Sequence, residues 1–398
     1  MKTIISSMSC VCSLGTTLEE ISDNIYNKVS VPTHITTRFE SSYKNDYPVY
    51  LVPEKLLSQK KEDESYGFLF VRTCVEQALQ QAKLSKQDLQ KYRVGIILGT
   101  SVNASFNCFD FYKQYKKNEV SSYWDLTDYF SYSLSERLQK YLSVSGLHAT
   151  ITTACASSTD AIGIASQWIQ QDLCDIVICG GTDELNIIPY TGFIKLLIAG
   201  KNPCSPFSKN RGGINIGEGC GILILEKEEI FKQRNMEPAG YVLGYGNCCD
   251  GYHPTTPAPD GIGLKNAVMQ AMKDAGITKQ DLAFINAHGT GTHDNDLTES
   301  KVFNELLKGV PVMASKSHTG HTLGAAGAIE AVLSLIALNK KEIPKASNFK
   351  EFDEEINFVP VLENTKTEKH VALSDSLAFG GVNSVIILGD KKCLKMYL

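Results

Sequence analysis

At 398 residues and 43% apolar content, the chain is long enough for two ordinary domains or one large two-lobed unit with a sizeable core. Its 39 basic and 44 acidic residues give a formal charge of −5, and no long run of one sign occurs, which argues against nucleic acid and anionic membrane as partners. Twelve cysteines sit mostly in apolar or glycine-rich stretches without framework spacing, the pattern of reduced thiols in a cytoplasmic protein.

The opening MKTIISSMSCVCSLG has one lysine and a mildly apolar run. Serines interrupt the run and no small-x-small cleavage site follows, so it reads as a first β-strand and not as a leader. Thr16 and Thr17 precede Glu19 and Glu20 by three residues each, the capping-box spacing that opens a helix. Residues 31 to 66 are polar, carry Pro32, Pro48 and Pro53, and read as an irregular connection. A helical pattern at Thr73 to Lys83 and the strand VGIIL at Val94 to Leu98 then begin an alternation that predicts an α/β fold with a largely buried sheet. No apolar stretch approaches the roughly 20 residues needed to cross a bilayer.

The chain also echoes itself. HATITTA at His148 to Ala154 enters the small-residue helix ASSTDAIGIASQWIQ at Ala156 to Gln170, and the strand GILILE follows at Gly221 to Glu226. In the second half AFINAHG at Ala283 to Gly289 is followed by HTLGAAGAIEAVLSLIAL at His321 to Leu338 and by GGVNSVIILGD at Gly380 to Asp390. Small side chains let helices approach closely, so the two helices are expected to pack face to face at the centre of a layered structure. Two similar lobes are therefore expected, residues 1–230 and 231–398, with a seam in the charged, turn-rich segment EIFKQRNMEPAG at Glu229 to Gly240.

Cys155 stands between TTA and ASSTDAIG, where a strand ends and a helix begins. Amides and the dipole at a helix N-terminus favour a thiolate there, and the alternative is a buried structural cysteine. Among eight histidines, His288 opens a Gly/Thr loop after a strand, and His321 stands at the mouth of the second small-residue helix. Lys316 and Glu330, five residues before and nine after His321, are placed to pair beneath it and orient it. His318 and His321 are three apart, a possible ligand spacing, but lysine, threonine and glycine surround them and no third ligand is at hand, so no metal is expected. His293, followed by Asp294 and Asp296, reads as a polar helix start. Phe379 precedes two glycines, which either expose amides for an oxyanion or make a tight turn into the last strand.

Together TACASSTDAIG around Cys155, NAHGTGT around His288, KSHTGHTLGAAGAIE around Lys316, His321 and Glu330, and AFGGVNS around Phe379 resemble the β-ketoacyl-acyl-carrier-protein synthases of the elongating Cys-His-His group. PFSKNRGGINIGEGCGILILE at Pro206 to Glu226 and GYGNCCDGYHPTTPAPDG at Gly244 to Gly261 resemble the same family, so the likeness runs from about residue 67 to 390. It implies a thiolase-like fold, two duplicated lobes in a five-layered α-β-α-β-α sandwich. It also implies that Cys155 takes an acyl group from a carrier-protein phosphopantetheine thioester, with the amides of Cys155 and Phe379 holding the oxyanion. His288 and His321 would then stabilise the enolate left when a malonyl thioester loses carbon dioxide, with no metal or organic cofactor. Thr290, Thr292, Thr255 and Phe193 match substrate-binding positions, and Phe379 matches the gate beside the nucleophile. The implied partners are an acyl carrier protein and a second subunit, either a copy of this chain or a paralogous ketosynthase-like subunit.

A degradative thiolase would carry a second cysteine in the C-terminal glycine loop, and a chain-initiating synthase an asparagine for the second histidine; neither is present. The opening lacks the usual glycine-rich block, residues 31 to 66 are short for the family, Ala378 stands where glycine is common, and GTGTHDND at Gly289 to Asp296 lacks the proline of housekeeping enzymes. These departures resemble synthases of specialised polyketide or aryl-polyene type pathways. Housekeeping fatty-acid elongation is the alternative, and a chain-length-factor-like partner subunit is the alternative of another class.

Overall fold

A computed structural model describes the chain apart from residues 1, 29–30, 35–37, 44–45, 62–63, 103–106, 121–122, 124–132 and 394–398; the side chains of 107–110, Cys108 among them, also lie outside the description. Ten strands form one sheet: β1 (Thr3–Val11), β2 (Val94–Gly99), β3 (His148–Ile151), β4 (Ile176–Asp183), β5 (Gly219–Glu226), β6 (Gly240–Cys249), β7 (Leu282–Asn286), β8 (Val312–Met313), β9 (Val371–Ala378) and β10 (Val382–Gly389). Their spatial order is β3-β2-β4-β5-β1-β6-β10-β9-β7-β8. Strand n of the first five thus has its counterpart in strand n+5, with the same parallel and antiparallel pairings on each side. The halves join where β1 meets β6, Thr3 opposite Val242 and Ile5 opposite Gly240.

The duplication is therefore real, but the sequence echo aligned it differently. AFINAHG is β7, the counterpart of β2, whereas the counterpart of HATITTA is the two-residue β8 at Val312–Met313. So short a strand carries no periodicity to read.

Six helices matter for the site: α1 (Leu18–Asn27), α2 (Tyr66–Gln81), α3 (Ser157–Gln170), α4 (Ile262–Ala275), α5 (His293–Leu306) and α6 (Ala326–Lys340). Helices α3 and α6 lie against each other and against both half-sheets, which makes the central layer. Their small residues are needed there, because a Cβ on Gly327 would sit 1.8 Å from Thr159 Oγ1. Helix α2 covers the outer face of the first half-sheet and α4 with α5 that of the second, completing the five layers. Every residue of α6 from Ala326 to Leu338 is buried. Contrary to the expectation above, one stretch among the described residues, Leu323–Lys340, is long and apolar enough to cross a membrane, yet 89% of it is enclosed by the rest of the protein.

The N-terminal segment is a β-strand, as read, and the structure places it at the centre of the sheet between β5 and β6. All of β1 is buried, and the serines that interrupt its apolar run are satisfied inward: Ser7 Oγ donates to Ala78 O at 2.8 Å and Ser9 Oγ to Gln77 Oε1 at 2.6 Å, both on α2. Thr17 caps α1 by accepting from Glu20 N, while the Glu20 carboxylate reaches back one residue further, to Thr16 N at 2.8 Å.

Candidate active site

Cys155 sits on a strand-turn-helix junction. After β3, Thr153 adopts φ −96° and ψ 43°, Ala154 takes the left-handed φ of 49°, and a single tight turn over Ala154–Ala156 leads into α3. Ser157 Oγ donates to Ala154 O at 2.6 Å and helps close the turn. The second half repeats this shape. Thr322 has φ −86° and ψ 27°, Leu323 has φ 54°, and Leu323–Ala325 turns into α6. The counterpart of Cys155 is thus Gly324, whose N–H donates to Asp183 Oδ2 at 2.6 Å. A Cβ there would lie 2.6 Å from Ser101 N, so the second elbow is closed over where the first opens into a cavity.

His288 follows β7, and His321 follows the short helix Lys316–Thr319, turned in by Gly320 at φ 63° and ψ −171°. The two half-sheets bring them to Cys155: its sulfur and a ring nitrogen of each histidine all lie within 4.8 Å of one another. The rings stand edge-on, with centroids 5.2 Å apart and planes at 89°. His318 is no part of this group, since its Nε2 bonds Lys345 O at 2.7 Å.

The hydrogen bonds fix both tautomers. Lys316 Nζ lies 3.1 Å from His288 Nδ1, and an ammonium can only donate, so Nδ1 accepts and the ring proton resides on Nε2. Leu323 N–H donates to His321 Nδ1 at 3.0 Å, with the same result. Both imidazoles therefore offer Nε2–H as a donor. Lys316 is paired with Glu330 in full burial, as expected, but this pair steers His288; His321 is oriented by its own main chain two residues on.

Burial sets the electrostatics. It pushes His288 well below the ordinary imidazole value, with the Lys316 charge and His321 acting in the same direction. Burial and then Lys316 do the same to His321. Glu330 is raised by burial against the pull of Lys316. The Cys155 thiol is pushed up to about 12, burial outweighing the Lys316 charge and the Phe379 N–H that favour the thiolate. This corrects the expectation of an ionised sulfur at rest: the side chain is only 7% exposed, and it occupies the tight turn ahead of α3, where desolvation exceeds the effect of the helix end.

Nitrogen-15 NMR of histidine-labelled protein is expected to find both rings neutral, with the proton on Nε2, down to pH 6. Their lowered values keep them neutral where a free imidazole, at roughly 6.5, protonates. An imidazolium signal rising through pH 6.5 for either residue contradicts this assignment. Unfolded imidazoles do take up protons in that range, so these two residues make the fold less stable as pH falls through it.

A cavity of about 500 Å³ opens onto the cluster. Cys155, His288, His321 and Phe379 line it together with Phe193, Thr255, Thr290 and Thr292; Lys316 and Glu330 lie behind it. Phe193 packs on Phe379 at 5.7 Å between centroids and on the His321 ring at 6.4 Å. Thr290 and Thr292 hydroxyls bond each other at 2.9 Å. The sequence reading missed two buried carboxylates at the junctions. Asp183 collects Thr100 Oγ1, Ser101 N, Val102 N and Gly324 N at 2.6 to 3.0 Å, and Asp160 grips the Cys155 elbow through Thr153. Asp160 stands in the TACASSTDAIG block, and its place five residues after the cysteine, on the first turn of a helix otherwise built there of small and apolar residues, was the available signal.

Residues 2–230 match the description "Beta-ketoacyl synthase, N-terminal domain" and residues 239–350 "Beta-ketoacyl synthase, C-terminal domain". A 3-oxoacyl-[acyl-carrier-protein] synthase 2 of Synechocystis sp. is 33% identical over 354 residues, 85% of this chain and 84% of that protein. One of the same name from Staphylococcus aureus is 36% identical over 258 residues, 62% of this chain and 64% of that protein. Among solved structures, the ishigamide ketosynthase/chain length factor superposes with a TM-score of 0.89 at 27% identity over 98% of this chain and 99% of that one. A type II PKS acyl-carrier protein complex with its ketosynthase gives 0.90 at 26%, over the same shares. The ketosynthase ApeO in complex with its chain length factor ApeC, from Xenorhabdus doucetiae, gives 0.84 at 29% over 98% of each chain.

Proposed function

The chain belongs to the β-ketoacyl synthase family, and from that premise we propose that Cys155 is its acyl-carrying nucleophile and that His288 and His321 hold the enolate of a decarboxylating malonyl thioester. The observation that carries this reading is the convergence of one sulfur and two imidazoles at the bottom of one cavity, each Nδ1 already occupied by a donor.

In the first half-reaction Cys155 attacks the thioester carbonyl of an acyl chain borne on a carrier-protein phosphopantetheine arm. The Cys155 S–C bond forms, the arm C–S bond breaks, and the thiol proton passes to the departing arm sulfur. Neither imidazole presents a free nitrogen to take that proton, so the transfer is direct. Main-chain N–H groups of Cys155 and Phe379 face the developing oxyanion, the kind of fixed donor that needs no reorganisation.

In the second half-reaction a malonyl thioester enters, its thioester oxygen between the two Nε2–H groups. Loss of carbon dioxide leaves an electron pair that the oxygen takes up as an enolate, and two donors favour this more than they favour the ground-state carbonyl. The carbanion attacks the acyl carbon, the C–C bond forms, the bond from that carbon to the Cys155 sulfur breaks, and the sulfur takes up one proton from solvent, the proton consumed in the net reaction. Lys316 and Glu330 are positioning residues for His288, Thr290, Thr292 and Thr255 line the path for the arm, and the packed Phe193–Phe379 pair lines the same cavity beside the nucleophile. Neither half-reaction draws on a cofactor beyond the carrier's own phosphopantetheine.

We place the chain in a specialised polyketide or aryl-polyene type pathway; likeness to ketosynthases solved with chain length factors supports this, and likeness to the 3-oxoacyl synthases supports the housekeeping alternative. The nucleophile, both histidines and Lys316 are retained, which argues against a partner subunit without chemistry of its own. The reading includes a dimer, with a second copy or with a paralogue. Incubation with acyl-carrier protein and malonyl-carrier protein is expected to yield a β-ketoacyl-carrier protein two carbons longer, read by mass. Coenzyme A-dependent cleavage of acetoacetyl thioesters without malonyl dependence would overturn it.

A further inference from the structure

Asp160 lies on the first turn of α3, 3% exposed, and no lysine or arginine pairs with it among the described residues. Its charge is held instead by four neutral donors, divided between the two oxygens. Oδ1 accepts from Tyr245 OH at 2.8 Å, Asn247 Nδ2 at 2.8 Å and Ser384 Oγ at 2.5 Å, all on β6 and β10 of the second half. Oδ2 accepts from Thr153 Oγ1 at 2.6 Å, two residues ahead of Cys155.

The two grips serve unlike partners. Thr153 leads into Ala154, whose left-handed φ of 49° is uncommon for a residue with a Cβ, so the elbow needs an external hold to keep its shape. The far side is rigid: the Tyr245 ring lies so close over α3 that a Cβ on Gly163 would be 2.3 Å from it. The nucleophile belongs to the first half of the fold and both imidazoles to the second. Their separation is therefore only as well defined as the links between the halves near the elbow, of which the bonds of Asp160 are one set and those to Gly324, Ala328 and Ser376 another.

We propose that Asp160 is a positioning residue that ties the Cys155 elbow to β6 and β10, so that the sulfur from one half is held at a fixed place beside the imidazoles of the other. This rests on Cys155 being the nucleophile, and it deepens that reading. A carboxylate suits the task because it accepts several hydrogen bonds at once, each stronger for its charge.

The test uses alkylation of Cys155 by iodoacetamide in the full chain, followed by peptide mass. It needs no carrier protein, so it stands or falls apart from the condensation reading. Thr153→Val removes only the elbow bond while keeping the side-chain shape. It is expected to slow alkylation about tenfold and move its pH–rate profile upward, because a loosened elbow no longer holds the sulfur against the Phe379 N–H and the Lys316 charge. Thr153→Ser, which keeps the hydroxyl, is expected to restore the rate. The double variant Asn247→Ala with Ser384→Ala, which cuts the grip on the other half, is expected to slow it in the same direction. Circular dichroism melts establish that each variant is folded. Wild-type alkylation rates and an unmoved profile in folded Thr153→Val overturn the proposal, as does a serine variant no better than the valine.

Discussion

Cys155→Ala is expected to abolish condensation, by roughly 10⁵-fold or more, the scale on which a covalent nucleophile's removal is felt. The same variant is expected to keep decarboxylating malonyl-carrier protein. The split follows from the geometry. The alanine has no atom to carry the acyl chain, whereas the enolate site is built from His288 and His321, whose tautomers are fixed by Lys316 Nζ and Leu323 N–H and not by the sulfur. Carbon dioxide release is read with labelled malonyl carrier and condensation by product mass. Loss of both activities together would show that the sulfur is part of the enolate site as well. Retention of condensation would remove Cys155 from the chemistry.

The second large effect is expected at His288. Removing one preorganised donor from an oxyanion site costs roughly 10²–10³ in rate. His288→Ala also strips the Lys316 ammonium of its imidazole partner and leaves it paired only with Glu330, so a decrease of about 10³-fold in decarboxylation is expected. Acyl transfer to Cys155 is expected to change by less than about tenfold, because neither ring takes the thiol proton. Single-turnover loading from a labelled acyl carrier separates the two steps. Equal loss in both would mean that His288 acts as a base in the first half-reaction, contrary to the tautomer assigned to it.

Much of this was legible in the sequence where the signal is local. The glycine- and alanine-rich runs in α3 and α6 announced a close central helix pair, and Cys155, His288 and His321 each stood out at a strand-to-helix or strand-to-loop junction. What was not legible depends on distance in space. The ion pair of Lys316 and Glu330 was foreseen, but it sits under His288, 28 residues before Lys316; chain proximity had suggested His321. The ionisation of Cys155 was misread because a helix mouth is visible in sequence and desolvation is not. The match of β3 with β8 was hidden by a strand of two residues. Asp160 was passed over because its donors come from Tyr245, Asn247 and Ser384, far along the chain. Residues 31 to 66 do include irregular structure, yet Val49, Tyr50 and Val52 are fully packed, and Tyr50 bonds across to the segment at Ile216 to Glu218.

The central claim is that the sulfur of Cys155 carries the growing chain. Mixing the protein with an acyl-carrier protein in the absence of any malonyl donor, then weighing its proteolytic peptides, addresses that directly. A mass gain of one acyl group confined to the peptide containing Cys155, and released when malonyl-carrier protein is added, is the expected result. An unmodified Cys155 peptide, or acyl mass on another of the thiols, would contradict it.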